Sequence, residues 1–461
     1  MTTDVIVVGA GAAGLAAASA LSTTGAKVAV LERKPYVGGR AYSYEHPALG
    51  EVVDCQHVLL GCCTNLVHLL EQSGASDSVR WFDELTFLET IGRVSRIKPG
   101  LLPPPMLASM SFLTAPMLGL ADKAGIARGL MEFLRGYPQD DTESVEMWLK
   151  RTSQTQRAIR HFWEPVLVGS LNDSFSRCSL KYAGQVFYES FLKTAEGGRL
   201  GIPSVPLSEL YGAVADAAAS HGAEIVLRAG VETIARRGDG WTVQAGGIEY
   251  SAKSLVLAVP FEQLQKLLPQ LPDDATRLDL QGKLANFVHA PITTVHLWWD
   301  RAITELDHAV LLDTGIQWIF NKARIRNWTP EQLQQRGHYV ELVISASAGE
   351  LHQERDEIIQ SALRELEMFF PRVREAKLLK SGVLKEARAT FSVLPGLDAH
   401  RPVARTAWPG LYLAGDWTRT GWPSTMEGGV RSGYLAAEAI AGKSFLQDDL
   451  PATGLMQALS R

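Results

Sequence analysis

Three glycines and one acid carry the first chemistry legible in this sequence. Gly9, Gly11 and Gly14 form G-x-G-x-x-G, and Glu32 follows about 20 residues later. Gly9 permits a tight turn, Gly11 lets a pyrophosphate approach the backbone, and Gly14 lets a helix pack closely on a strand. Ala12 opens that helix, whose free N–H groups face the phosphates. Glu32 can accept hydrogen bonds from ribose hydroxyls, with Arg33 beside it, and its charge disfavours a 2′-phosphate, so NADP is not expected. A second group lies near the C-terminus, where Gly415 and Asp416 follow an apolar run and Thr425 and Met426 open a glycine-bearing segment. A third is Gln56-His57, whose imidazole could move or orient a proton near neutral pH or serve only as a structural hydrogen-bond partner.

These residues need elements to hold them. Residues 4–8 form a β-branched run, Leu15, Ala18 and Leu21 give the next segment an apolar helical face, and residues 27–31 supply a second strand. Residues 51–53 read as a strand and 64–72 as a helix, with Asp54, Gln56 and His57 between them. A helix over 207–220 leads into strands at 224–227, around 241–244 and at 254–259, and 411–414 is a buried strand ahead of the terminal helix.

Gly38-Gly39-Arg40 follows the second strand directly and resembles the second fingerprint of the flavin amine oxidase and phytoene desaturase superfamily. The resemblance implies noncovalent FAD, with Gly39 and Arg40 added to the cradle. Val231 would hold the adenine through its backbone, and Asp416 would bind the ribityl and pyrophosphate region. The helix start near Thr425, Met426 and Glu427 would place N–H groups at the flavin pyrimidine edge, where they favour negative charge on the reduced ring. The superfamily's covalent flavin link uses a cysteine close before the terminal signature, whereas the last cysteine here is Cys178. Amine oxidases of this group often carry Tyr immediately before Met-Glu-Gly; here that residue is Thr425, which disfavours an amine substrate.

DCQHVLLGC, HFWEPVLVGSLND and LAGDWTRTGWPSTMEGGVRSG are together similar to the squalene-associated FAD-dependent enzymes, the hydroxysqualene dehydroxylases. That resemblance implies a polyisoprenoid alcohol as substrate, reductive loss of its allylic hydroxyl to give squalene, and a place in squalene and hopanoid biosynthesis. His57, assisted by Gln56, would protonate or orient the departing hydroxyl; Asn172 is the alternative group to bind it. Cys55 stands where the related segment commonly has Gly. Phe162, Trp163, Phe187, Tyr188 and Phe191 either line an apolar tunnel or form ordinary helical core. Three alternatives stand beside this reading: a carotenoid or phytoene desaturase-like polyene oxidoreductase, a flavin amine oxidase, and a noncatalytic prenyl-lipid binding protein.

The chain has 461 residues, a net charge of −5 and four cysteines, Cys55, Cys62, Cys63 and Cys178. The length suggests two interleaved domains. The mild charge gives no nucleic-acid footprint, and the cysteines lack metal-ligand spacing. With no signal peptide read at the N-terminus, the expected location is cytoplasmic, with peripheral contact to the inner face of the membrane. Residues 99–120 are apolar and free of charge but broken by Pro103, Pro104, Pro105 and Pro116; they suit a buried irregular cap or a lip on a bilayer surface better than a spanning helix.

The fold class expected is α/β: a Rossmann-like FAD-binding domain of the flavin amine oxidase type, interleaved with a substrate domain. Residues 1–80, 207–290 and 395–445 would build the FAD domain. Residues 81–206 would form a helical insertion, 291–394 a substrate-domain sheet and helix, and 446–461 a tail. Within the second excursion, strands are predicted at 293–299, 317–320, 339–345 and 379–390, with a helix over 354–370.

Overall fold

The structure is a computed structural model that describes residues 1–459. Short apolar strands rich in Val, Leu and Ile suit a sheet covered on both faces, and five of them form one parallel sheet. They are β1 (Val5–Val8), β2 (Val28–Leu31), β3 (Glu224–Val226), β4 (Ser254–Leu257) and β5 (Leu411–Leu413), in the order β3-β2-β1-β4-β5. Between β3 and β4 the chain makes an antiparallel meander of Val231–Arg237, Gly240–Ala245 and Ile248–Ala252.

Two helices govern the nucleotide end of this sheet: α1 (Ala12–Ser22) and α2 (Met426–Ala441). The alanine-rich α1 gives α2 a flat surface. Gly429 lies over Ala12, and a Cβ on Gly433 would sit 2.2 Å from the Ala13 carbonyl oxygen. The two helices therefore run parallel at close range, with their N-termini at the same end.

The second layer is a seven-stranded sheet in the order Leu378–Phe391, His289–Trp299, His338–Ser345, Trp318–Phe320, His308–Leu311, Leu85–Leu88, Val94–Ile97. All its pairings are antiparallel except His308–Leu311 with Leu85–Leu88. The last two strands differ from the helical reading of residues 81–206. Four-residue runs such as LTFL and VSRI show too little period to declare themselves; they pair with each other as a hairpin, and LTFL joins the sheet through His308–Leu311, more than 200 residues away. Both excursions thus contribute to one sheet. Helix Arg355–Phe369 buries Ile358, Ile359, Ala362 and Leu366 against it.

The helical part of the first excursion includes Leu120–Met131, Val145–Arg151, Glu164–Leu171 and Leu180–Phe187. Two segments, Ile159–Trp163 and Tyr188–Leu192, are π-helical turns. Trp163 and Phe187 are buried, and their rings pack with Phe162, Trp148 and Phe133 at centroid distances of 4.8 to 6.5 Å. For Trp163 and Phe187 this packing is helical core, whereas Phe162 and Phe191 are only half-buried. No helix among the described residues is long and apolar enough to cross a membrane.

Candidate functional site

The glycines at the end of β1 divide their work as their spacing suggests. Gly9 has φ +104°, and a Cβ there would lie 2.5 Å from the Ala258 carbonyl oxygen. At Gly14 a Cβ would lie 1.9 Å from the Gly9 carbonyl oxygen, so only hydrogen lets α1 approach the turn. Gly11 differs, because a Cβ there meets only the Gly39 Cα, at 3.6 Å. Gly39, with φ +66°, passes close to Gly11, and Gly38 pairs with Gly11 in a β-bridge. Two glycine turns thus oppose one another above the N-terminus of α1, a bare backbone cradle of the kind a pyrophosphate needs.

The remaining cofactor candidates gather round it. Glu32 is buried; one carboxylate oxygen accepts the Ala10 N–H and the other the Lys34 N–H, each at 2.8 Å. Arg33 lies beside Gly230, which precedes Val231. Arg40 donates to Asp416 Oδ1 at 2.6 Å, and Ser424 Oγ donates to Asp416 Oδ2 at 2.6 Å. Gly415 N–H donates to Ser432 Oγ at 2.7 Å, fixing the β5 end against α2. Thr425 caps α2 by accepting the Gly428 N–H, leaving half-buried Met426 at the first turn. Glu427 turns away. Its buried carboxylate accepts from the Asn65 and Leu66 N–H groups and from Arg431, capping helix Thr64–Gln72. This donor set suits an FAD: an acid for ribose hydroxyls, glycine backbone and helix N-termini for phosphates, and a second helix N-terminus for the flavin ring.

A small cavity of about 10 Å³, lined by Arg40, Tyr42, Tyr44, Asp54, Cys55, Leu384 and Glu386, lies between Arg40 of this cradle and the start of the turn that carries on to Gln56 and His57. That turn is held from behind by buried charge. Lys322 Nζ contacts Asp54 at 2.9 Å, Glu341 at 3.2 Å and Gln56 Oε1 at 2.6 Å. Glu341 accepts the Gln56 N–H at 2.6 Å, and Arg326 bonds the second Asp54 oxygen at 2.9 Å. Burial pushes Glu341 up to about 7, against the pull of Lys322. Asp54 is equally buried but has Lys322 and Arg326 on it, which hold its carboxyl well below the ordinary range. None of Lys322, Arg326 and Glu341 stood out in the sequence; the signal available was Lys322 and Arg326 four apart, at the start of a short helix and just past its end, like charges that call for acids between them.

Gln56 is fully engaged, since its amide nitrogen donates to the His57 carbonyl at 2.6 Å. His57 Nδ1 lies 2.7 Å from the Cys55 carbonyl oxygen. A carbonyl can only accept, so Nδ1 carries the proton. Burial lowers the His57 pKa, the Cys55 bond opposing it, and the neutral ring presents Nε2 as a proton acceptor. The loop beyond is equally constrained: Leu59 pairs with Gly201, and a Cβ on Gly61 would lie 1.8 Å from the Glu196 carbonyl oxygen. Cys62 Sγ contacts Ser190 Oγ at 3.4 Å, on the second π turn.

Asn172 stands apart and corrects the expectation that it binds substrate. It ends helix Glu164–Leu171 at φ +55°, and its amide is spent on structure: Nδ2 donates to the Ala290 carbonyl and Thr390 Oγ1, and Oδ1 accepts the Ala346 N–H. Thr390 is flanked by Ala389, whose carbonyl accepts from Arg40, and Phe391, whose N–H donates to Ser424. Asn172 therefore clips the strand tip that backs Arg40 and Asp416. Asn172→Ala is expected to lower stability by about 2–4 kcal/mol, through three lost bonds and a left-handed backbone that suits Asn, and thermal unfolding checks it.

An open cleft of about 490 Å³ lies elsewhere, lined by Arg160, Glu164, Asp313, Gln317 and Glu365 among others. It takes in Glu164 and Pro165 of the HFWEPVLVGSLND stretch but not Gln56, His57 or Asn172, and charged side chains share its walls with Val310, Leu311, Leu312 and Met368.

A family model described as flavin containing amine oxidoreductase matches residues 12–441. The chain is 26% identical over 471 residues to the 15-cis-phytoene desaturase of Glycine max, across 96% of this chain and 80% of that protein. It is 25% identical over 480 residues to the zeta-carotene desaturase of Synechocystis sp., across 95% of this chain and 96% of that one. A solved oxidoreductase from Methanosarcina mazei shares the fold, with a TM-score of 0.70 at 16% identity, covering 96% of this chain and all of its own.

Proposed function

The chain belongs to the flavin-containing amine oxidoreductase family, and from that premise we propose that this FAD-dependent oxidoreductase acts on a polyisoprenoid. The observation that carries the proposal is the kinship with carotenoid desaturases over 95% or more of the chain. Bound FAD supplies the acceptor or donor of a hydride. The protein's own groups hold the cofactor and position what reacts with it. Thr425, its hydroxyl committed to the cap of α2, offers no aromatic wall for an amine, which supports an apolar substrate.

Two reactions fit such a site, and they run in opposite directions. Desaturation of a polyene is favoured by the relatives and by the state of His57. Removing a hydride from one carbon leaves a cation whose neighbouring C–H is acidic, and neutral Nε2 is a suitable acceptor for that proton. The second reading is reductive dehydroxylation of hydroxysqualene to squalene. It is favoured by the Asp54–Cys62 stretch, whose likeness to the hydroxysqualene dehydroxylases falls on a constrained turn that begins beside the small cavity at Arg40. That reaction needs a hydride from reduced FAD and one proton on the departing oxygen, which leaves as water; His57 would orient the hydroxyl or, when protonated, supply that proton.

Anaerobic incubation decides between them. Bleaching of oxidised flavin by phytoene supports desaturation; squalene formed from hydroxysqualene by the reduced protein supports dehydroxylation; neither product overturns the polyisoprenoid reading. His57→Gln is expected to lower turnover about 100-fold with FAD content unchanged. Unaltered turnover in that variant would remove His57 from the chemistry.

A further inference from the structure

We propose that Tyr182 and Gln185, on a helix of the first excursion, are positioning residues for FAD, which they serve by setting the loop 416–425. The two ends of that loop, Asp416 and Thr425, are cofactor candidates, so the backbone between them must be held for both to face one cofactor. Arg401 does much of the holding. It is fully buried, and its Nη2 donates to the Asp416 carbonyl at 2.7 Å, the Thr418 carbonyl at 2.6 Å and Thr420 Oγ1 at 3.1 Å, while Nε donates to the Thr418 carbonyl at 3.0 Å. Three points of the loop are thus fixed by one planar fork, which a lysine could not reproduce. The fork is itself aimed by Tyr182. Arg401 Nη1 donates to the Tyr182 hydroxyl, which donates in turn to Asp398 Oδ1, and Lys181 Nζ holds Asp398 Oδ2 at 2.6 Å. Lys181 and Tyr182 both belong to helix Leu180–Phe187.

The same helix reaches the loop a second time. Gln185, on the same face as Tyr182 and nearly one turn further on, donates from Nε2 to the Gly421 carbonyl at 3.0 Å. A carbonyl can only accept, which fixes the orientation of the amide. Its Oε1 is then buried with no hydrogen-bond partner among the described residues. An acceptor left so costs about 1–3 kcal/mol, and an apolar side chain of the same length would pack there without that cost. What the glutamine adds is its grip on Gly421. Next along the loop, Arg431 lies over the Trp422 ring at 4.7 Å, and Ser424 Oγ closes the loop onto Asp416 Oδ2.

Helix Leu180–Phe187 continues into the π turn Tyr188–Leu192, where Ser190 Oγ contacts Cys62 Sγ. One continuous element therefore grips the cofactor loop through Tyr182 and Gln185 and the Gln56–Cys62 turn through Ser190. A π turn inside a helix is frequent at functional sites, and here it falls between the two grips. When the grip on the loop slackens, Asp416 and the first N–H groups of α2 lose their common frame, and negative charge on a reduced flavin loses part of the stabilisation that a helix N-terminus gives. The inference stands on FAD binding alone and not on which polyisoprenoid reaction the protein runs.

Tyr182→Phe and Gln185→Met in the FAD-loaded full chain test the proposal, since each keeps the bulk of the side chain and removes its hydrogen bonds. FAD affinity, read from the fluorescence of released cofactor, is expected to fall about tenfold in each variant. The flavin midpoint potential should drop by about 30 mV, a tenfold loss of preference for the reduced form. Thermal unfolding is compared with FAD at an equal multiple of each protein's dissociation constant, so that weaker binding does not itself lower the transition. Gln185→Met should then unfold no earlier than the parent, because the unpartnered oxygen leaves with the amide. Parent-like affinity and potential in either variant overturns the proposal. So does a fall in affinity with an equal fall in stability and an unchanged potential, the behaviour of a helix that only supports the fold. Assays with phytoene or hydroxysqualene can fail without touching this result, as none of these measurements uses a substrate.

Discussion

A Gly11→Val protein is expected to purify folded and colourless. The three glycines of the β1 turn look equivalent in the sequence, yet only Gly11 separates holding the cofactor from holding the fold. Its backbone is extended, with φ −78° and ψ −179°, a conformation open to any residue, and its nearest neighbour to a Cβ is 3.6 Å away. Valine at Gly9 or Gly14 would instead drive carbon into carbonyl oxygens at 2.5 or 1.9 Å and break the β1–α1 contact. At Gly11 the added methyl groups enter the space facing Gly39, where a pyrophosphate must approach the backbone. The expected loss is roughly 100-fold or more in FAD affinity, about 3 kcal/mol. Visible flavin absorbance relative to protein reads that loss, and far-ultraviolet circular dichroism reads the fold. A yellow Gly11→Val protein would place the phosphates elsewhere.

Lys322→Met should cost about 3–5 kcal/mol, as removal of one partner from a buried ionic cluster does. Lys322 is 3% exposed in its side chain and answers two acids that are buried as deeply. Arg326 stays on Asp54 in the variant, but Glu341 is left without a cation and must take a proton. The two acids impose opposite pH limits. Glu341, raised from 4.5 to about 7, binds a proton more tightly folded than unfolded, so its contribution is complete below about pH 4.5 and is lost as pH rises through about 7. Asp54, held below its ordinary 3.8, contributes above about that pH and loses its contribution as pH falls through the folded value. The cluster is therefore most stabilising near pH 4 to 4.5 and weakens progressively from there to about pH 7. Denaturant unfolding at pH 6 and 8 should show the wild type weakening with pH and Glu341→Gln much less so. Adding Glu341→Gln to Lys322→Met should recover part of the loss, because the neutral amide still accepts the Gln56 N–H. Simple additivity of the two substitutions would mean that the residues do not act as one cluster.

What could be read from the sequence is what is encoded locally. The glycine turns, Glu32, the helix Leu207–Ser220 and most strands of the second excursion declare themselves within windows of a few residues, by spacing or alternation. Gln56 and His57 stood out by residue type, but their setting did not. The groups that hold their turn, Lys322 and Glu341, arrive from 266 and 285 residues away. Asn172 illustrates the opposite failure. A buried amide with donors and acceptors could serve a ligand or the backbone equally well, and only the positions of Ala290, Ala346 and Thr390 decide. The strands Leu85–Leu88 and Val94–Ile97 were hidden for a related reason, since four residues do not establish a period and the strand that joins their hairpin to the sheet, His308–Leu311, lies in the later excursion.

The order β3-β2-β1-β4-β5 also sets a schedule for synthesis. β1 leaves the ribosome first, but its neighbour β4 is made about 250 residues later, and β5 and α2 close the site only after residue 411. At a usual rate of about 5–20 residues per second, the glycine turn waits some 20 to 80 seconds for the Asp416 end of its own binding site. Cofactor capture is consequently among the last events in the life of the nascent chain. Until then the exposed edge of β1 and the alanine face of α1 are obligations for whatever protects unfinished proteins in the cell, and a chain cut short before α2 would keep the fingerprint while lacking half of what reads it.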